Sequence, residues 1–295
     1  MFISKANNYL RLGRPYYVIP VIATAIAGYC SGSNARPMTT NSGIVGFVFF
    51  LLGMTCWAAN EITDRHSDAH GKSKKKWGLY VSGGTAILPS GIISVKSAKI
   101  YVVALAMAGL LIATLLNTAF LALSVLFMVI GLAYSVKPVR LKDRGILGLA
   151  AVSTACGMVA FMAGWVAGGQ VPTAECLFFA SMLSITFFGF EGLAHLLDHK
   201  QDRRNNENTI SVSLGQEKAR NVLAICQCLP SLTLMLLSLL VRSAFPHLNL
   251  VLIVPLLFIS CLIATLTVKY QQASLTSSLR VLSVPLISVF AFLIV

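Results

Sequence analysis

Charge is what this sequence has least of. Only 11% of its 295 residues are Asp, Glu, Lys or Arg, 56% are hydrophobic, and the acidic residues number ten. A soluble chain carries about a quarter charged residues, so composition points to an integral membrane protein. The apolar runs also lack polar–apolar alternation. That excludes transmembrane strands and leaves helices to span the bilayer. No short apolar leader with a small-residue cleavage site opens the chain, and residues 1–20, with two Arg and one Ser, are not Arg- and Ser-rich enough to be read as a transit peptide. The expected location is therefore a prokaryotic cytoplasmic membrane. The seven cysteines lie mostly inside apolar runs, with Cys226 and Cys228 the one close pair. They read as small packing residues rather than as a disulfide framework or metal site.

Nine apolar segments are present, near 16–33, 43–60, 98–116, 119–135, 146–168, 174–196, 221–241, 248–268 and 278–295. The expected fold is all-α: a polytopic bundle of nine transmembrane helices in a single domain, 1–295. The turn around Asn117 is so tight that two helices are at risk of merging there.

The net charge of +13 is unevenly spread. If the segments alternate across a membrane, all but Arg36 and Arg242 of the 23 basic residues fall on one side. The positive-inside rule makes that side the cytoplasm, with the N-terminus there and the C-terminus outside. The basic excess is thus a topology signal, with attraction to anionic lipid as a second role, and nucleic acid is not an expected partner.

Six of the ten acids form two clusters on that same side: Glu61, Asp64 and Asp68, then Glu191, Asp198 and Asp202. Helical residues four apart lie about 6 Å apart along the axis and about 40° apart around it. If the second span continues past Trp57, Asn60, Asp64 and Asp68 form one polar stripe, and Glu61 points off it and is expected to be ordinary. Spacings of seven and eleven likewise bring Glu191, Asp198 and Asp202 to one face of the sixth span, with His195 a turn above Glu191. Oxygen donors without clustered Cys or His suit a hard cation such as Mg2+, completed by water and substrate phosphate. Two clusters suit two ions bridging a diphosphate. The plain alternative is a pair of solvated helix ends matched to nearby Lys and Arg. Tyr134, Lys137, Arg140 and Lys142 close the fourth span, and Lys200, Arg203 and Arg204 follow the second cluster. The basic ones are candidates for phosphate oxygens, with cytoplasmic anchoring as the alternative.

In order along the chain, these motifs resemble the UbiA superfamily of intramembrane prenyltransferases. "NEITDRHSD" matches its N-x-x-x-D-x-x-x-D signature, and Glu191, Asp198 and Asp202 are similar to its second signature, with Glu for the usual first Asp. "YSVKPVRLKDRG", "GGTAILPSGIIS", "LRLGRPYYVIP" and "NTISVSLG" resemble further family segments. A basic loop, "HGKSKKKWGLYV", stands where many members have a short Arg-Pro hook, leaving open whether Lys72 to Lys76 substitute for that arginine.

The resemblance implies a central cavity and Mg2+-dependent transfer of a prenyl group from an allylic prenyl diphosphate to a small, aromatic acceptor, releasing pyrophosphate. It implies metal–diphosphate roles for Asn60, Asp64, Asp68, Glu191, Asp198 and Asp202, and phosphate contacts for Arg65, Lys137, Arg140 and Lys142. Tyr134 is placed against the cation or acceptor, and Arg14 against an acceptor carboxylate. His195 reads as a packed histidine, with proton acceptor as its alternative. The competing functions are a terpene cyclase or prenyl transfer to a non-aromatic acceptor, both sharing the metal motifs, and, remotely, a cation-coupled transporter. Transporters place such groups at mid-membrane in broken helices, whereas here both clusters sit at helix ends.

Overall fold

The computed structural model describes residues 2–33, 39–70, 74–82, 84–240, 250–269 and 272–293. Lys72, Arg36 and Arg242 lie outside the described residues. The helices are α1 (Phe2–Leu12), α2 (Pro15–Ser33), α3 (Thr40–His70), α4 (Val95–Ala113), α5 (Thr118–Ser135), α6 (Ile146–Thr154), α7 (Ala160–Ala167), α8 (Ala174–Arg204), α9 (Ile210–Ser213), α10 (Gln216–Leu240), α11 (Leu250–Lys269) and α12 (Ala273–Leu293). One π-turn, Ala155–Val159, joins α6 to α7 as a single span. Such turns widen a helix locally and recur at functional sites.

Local chemistry sets the boundaries. Pro15 opens α2, where its missing N–H costs nothing. The hydroxyls of Thr39 and Ser42 accept each other's backbone N–H groups at 3.1 and 3.0 Å, capping α3. The expected hazard at Asn117 does not materialise. Its Oδ1 accepts from the Phe120 N–H at 2.8 Å and its Nδ2 donates to the Val166 carbonyl at 2.8 Å, so α4 and α5 stay separate.

Seven helices among the described residues are long and apolar enough to cross a membrane, within Thr40–Ala69, Val95–Ala113, Thr118–Ser135, Ile146–Ala167, Ala174–Arg204, Gln216–Leu240 and Ala273–Phe292. Helices α2 and α11 lie at the two remaining predicted segments, and α11 contributes the shorter apolar stretch Ile253–Lys269. On α4, Ile100, Val103, Met107 and Leu111 are all exposed at helical spacing, a face suited to lipid.

Helix α2 packs on α3, α7 and α12. A Cβ at Gly28 would collide with the Phe161 carbonyl, and one at Gly164 with the Ala25 carbonyl, so glycine permits this close approach of α2 and α7. All seven cysteines are free thiols.

Between the apolar segments 43–60 and 98–116, α3 runs on to His70, and Lys74–Lys76 (β1) pairs antiparallel with Leu79–Ser82 (β2). Trp77 and Gly78 both take positive φ in the two-residue turn that joins them. Arg280, one of the basic residues expected on the cytoplasmic side, lies inside α12 and is 2% exposed.

Candidate active site

Where the C-terminal ends of α3 and α8 face each other, they wall an open-mouthed cavity whose empty space, together with the solvent at its mouth, is about 1340 Å3. Its inner wall is apolar, with Val21, Phe127, Leu149, Val152 and Phe187, and its outer part is polar.

Helix α3 turns Asn60, Asp64 and Asp68 into this cavity. Asn60 Oδ1 accepts from the Ser135 hydroxyl at 2.9 Å. Asp64, buried, accepts from Lys142 Nζ at 2.7 Å and pairs with Arg140 Nη1 at 3.2 Å. Lys142 reaches inward from the short 3-10 turn Leu141–Asp143, entered through Arg140 at φ +37°. Glu207, which also lines the cavity, pairs with both cations, at 3.0 Å to Arg140 and 3.1 Å to Lys142. Burial disfavours the Lys142 ammonium, but Asp64 and Glu207 outweigh that and hold its pKa above the ordinary lysine value. The chain after β2 closes over Asp68: a Cβ at Gly84, at φ +71°, would strike the Asp68 carboxylate.

Helix α8 contributes Glu191, His195, Asp198 and Asp202. Arg280 Nη2 donates to Glu191 Oε2 at 3.1 Å, Nη1 to the Glu191 carbonyl at 3.3 Å, and Nε to the Val81 carbonyl at 3.1 Å. Asp202 accepts from the Thr209 hydroxyl at 2.8 Å. The Tyr134 hydroxyl and His195 Nε2 lie 3.1 Å apart.

Arg14 also lines the cavity, but its guanidinium pairs with Glu61 and sits 5.3 Å from the Trp57 ring centroid. Glu61 is therefore not an ordinary surface acid. It points off the stripe, as expected, yet is buried and also accepts from Thr85 N and Oγ1 at 2.9 and 2.7 Å. Arg14 Nε, Tyr17 OH, Ser82 Oγ and His195 Nδ1 are buried without a hydrogen bond, and all four residues line this one cavity. An unmade buried hydrogen bond costs about 1–3 kcal/mol, so the wall is built for a polar occupant.

Other expected residues are elsewhere. Lys137 is exposed, outside the cavity lining, and Arg65 donates to its own helix at the Ile62 carbonyl, 2.9 Å away. Lys200, Arg203 and Arg204 are exposed and also outside the lining. Arg140 is outside the lining and touches the site through Asp64 and Glu207. Lys75 and Lys76, in the hairpin, do not line the cavity either. Sequence reasoning missed Arg280 and Glu207. A lone arginine inside the apolar segment 278–295 was a usable signal, since intramembrane charges are seldom idle. Glu207 had no local signal, because its partners lie 67 residues or so away.

Among the described residues no three His, Cys, Asp or Glu side chains already converge as a closed metal site. The donors facing the cavity are nonetheless oxygen-rich on both walls. That chemistry fits a hard cation taking one or two carboxylates per ion and its remaining ligands from phosphate and water.

The model of the UbiA prenyltransferase family matches residues 21–286. A digeranylgeranylglyceryl phosphate synthase from Methanoculleus marisnigri is 25% identical over 222 residues, 75% of this chain and 74% of the relative. The structure of a UbiA homologue from Archaeoglobus fulgidus bound to DMAPP and Mg2+ superposes with TM-score 0.69 at 19% identity, covering 97% of this chain and 99% of that one. An apo UbiA homologue from Aeropyrum pernix gives TM-score 0.71 at 20% identity over 92% and 95%. These two structures share the fold of the present chain.

Proposed function

The chain belongs to the UbiA prenyltransferase family, and on that premise we propose that it transfers a prenyl group from an allylic prenyl diphosphate to a small acceptor inside the membrane, releasing pyrophosphate. One observation carries the reading: oxygen donors of α3 and α8 face each other across a cavity that Lys142 also enters. Asn60, Asp64 and Asp68 on one wall, and Glu191, Asp198 and Asp202 on the other, would hold Mg2+, in two ions. When bound, Mg2+ neutralises the departing diphosphate and so favours cleavage of the allylic C–O bond.

Lys142, with Arg140 behind it, holds diphosphate oxygens and stabilises the charge that grows there. The apolar inner wall takes the isoprenoid tail and keeps water from the allylic cation. The acceptor attacks the terminal allylic carbon and loses a proton. Arg65 and Lys137 are left without this role, since neither lines the cavity. Tyr134, beside His195, faces the cation. Tyr17 and Trp57, with ring centroids 6.0 Å apart, offer faces for an aromatic acceptor, with Arg14 beside them. The domain is the whole chain, 1–295, and the spans number nine, with the N-terminus and cavity mouth on the cytoplasmic side.

A second acceptor class, a glyceryl phosphate, is favoured by the name of the Methanoculleus relative. Purified protein with Mg2+ and geranylgeranyl diphosphate, offered an aromatic acid, a glyceryl phosphate ether or neither, separates the readings. Prenylated product with either acceptor supports transfer and identifies the class. Cyclised product without any acceptor refutes it in favour of a cyclase. No pyrophosphate release under any condition sinks the enzymatic assignment of the cavity.

A further inference from the structure

Residues 1–14 and 69–99 contain no Asp or Glu, yet they carry nine Lys and Arg. The fold brings the two stretches together outside the cavity. Arg11 of α1 donates from Nη2 to the Tyr80 hydroxyl at 2.6 Å, with its guanidinium carbon 5.6 Å from the Tyr80 ring centroid. Lys75 of β1 puts its ammonium 4.5 Å from the centroid of the same ring. Neither cation has an ion pair among the described residues. Two cations on one ring repel each other, and a tyrosine face offsets only part of that. An anion between them would remove the repulsion.

The surroundings say which kind of anion. Trp77, at the hairpin tip, is 62% exposed, with Lys76 5.7 Å from its ring centroid, and Leu10 on α1 is 46% exposed. An exposed indole and leucine among lysines is the pattern of a bilayer interface, where the ring sits at headgroup depth and the cations meet lipid phosphate. A free phosphate would satisfy the cations and leave both apolar groups in water.

We propose that Arg11, Lys75 and Tyr80 form a phosphate site for an anionic lipid headgroup, with Trp77 seated in the adjoining bilayer interface. The site lies apart from the prenyl-transfer cavity and does not depend on that reading. It has a route to it, however. Strand β2 continues from Tyr80 into Val81 and Ser82, which line the cavity, and the Val81 carbonyl is held by Arg280. A bound headgroup would fix the hairpin whose far end forms a cavity wall.

The test uses the full chain in phosphatidylcholine vesicles with graded phosphatidylglycerol. The readout is energy transfer from Trp77 to a labelled phosphatidylglycerol, taken as wild type minus Trp77→Phe. Transfer should saturate with phosphatidylglycerol content. Lys75→Gln or Arg11→Gln should raise the half-saturating content about fivefold, the factor for one basic residue at an anionic surface. Lys96→Gln, an exposed cation outside the cluster, should leave it unchanged. Equal shifts for Lys75→Gln and Lys96→Gln would reduce the effect to general surface charge and overturn the site. So would equal transfer to labelled phosphatidylcholine, or inorganic phosphate competing fully with the lipid.

Discussion

Lys142 donates to Asp64 at 2.7 Å across 78 residues of sequence, and Glu207 receives the same ammonium at 3.1 Å. The acid proposed as a metal ligand is thus already matched by a cation, which Glu207 also holds. On the proposed reading, Lys142 would turn from Asp64 to diphosphate oxygens while keeping Glu207 as a partner.

Removing either member separates their parts. Asp64→Ala should abolish pyrophosphate release, whereas Lys142→Met should lower kcat about 10²- to 10³-fold, the range for losing one preorganised charge donor. Single-turnover pyrophosphate release measures both. Full turnover by Asp64→Ala would eliminate the metal-site assignment.

Glu207→Gln tests the tether. It removes one partner from each of Lys142 and Arg140 and leaves Asp64 in place. With a charge-assisted hydrogen bond worth roughly 1.5–3 kcal/mol, KM for the prenyl diphosphate should rise on the order of tenfold or more. Steady-state kinetics that return the wild-type KM and kcat would show that Glu207 is not needed to position the cations.

The pair at Lys142 also has a pH signature. Its pKa in the fold is raised above the usual 10.5, so its stabilising contribution is complete below that value and disappears as pH climbs through the raised one. The stability difference between wild type and Lys142→Met should stay constant from neutral pH to about 10 and shrink above it. Unfolding followed against pH in both proteins provides the check, and a difference that fades near neutrality would contradict the raised value.

Arg280→Met should strip Glu191 of its cation and destabilise the protein by about 3–5 kcal/mol, the usual cost of breaking a buried pair. Because Glu191 is 20% exposed, the low end is expected. Arg280→Met with Glu191→Gln should recover much of the loss. Thermal unfolding in detergent reads this directly. Identical midpoints for single and double variants would mean that the pair contributes no coupling.

Gly84→Ala should act on Asp68 from outside the helix. The new methyl meets the Asp68 carboxylate and the backbone sits at φ +71°. Displacing a ligand's support typically costs about 10- to 100-fold in metal affinity, so the Mg2+ concentration for half-maximal pyrophosphate release should rise by that factor. Chelation by EDTA should silence wild type and variant alike, and excess Mg2+ should restore the wild type.

Much of the site was legible because it is written on single helices. Asn60, Asp64 and Asp68 share a face once α3 continues to His70, and Glu191, Asp198 and Asp202 do so on α8. Periodicity of about 3.6 residues per turn needs no tertiary information to align them. The same logic failed for loop cations. Lys137 and Lys142 share the basic stretch after α5, yet only Lys142 is turned inward, by a 3-10 turn after a left-handed Arg140.

Membrane residence and the two oxygen-donor stripes therefore follow from composition and helical period, since both depend on residues near one another in sequence. Which cation answers which acid does not. Arg14 with Glu61, Lys142 with Asp64 and Arg280 with Glu191 join residues 47, 78 and 89 apart. A buried charge takes whichever partner the packing of helices brings within reach, and that packing is a property of the bundle as a whole.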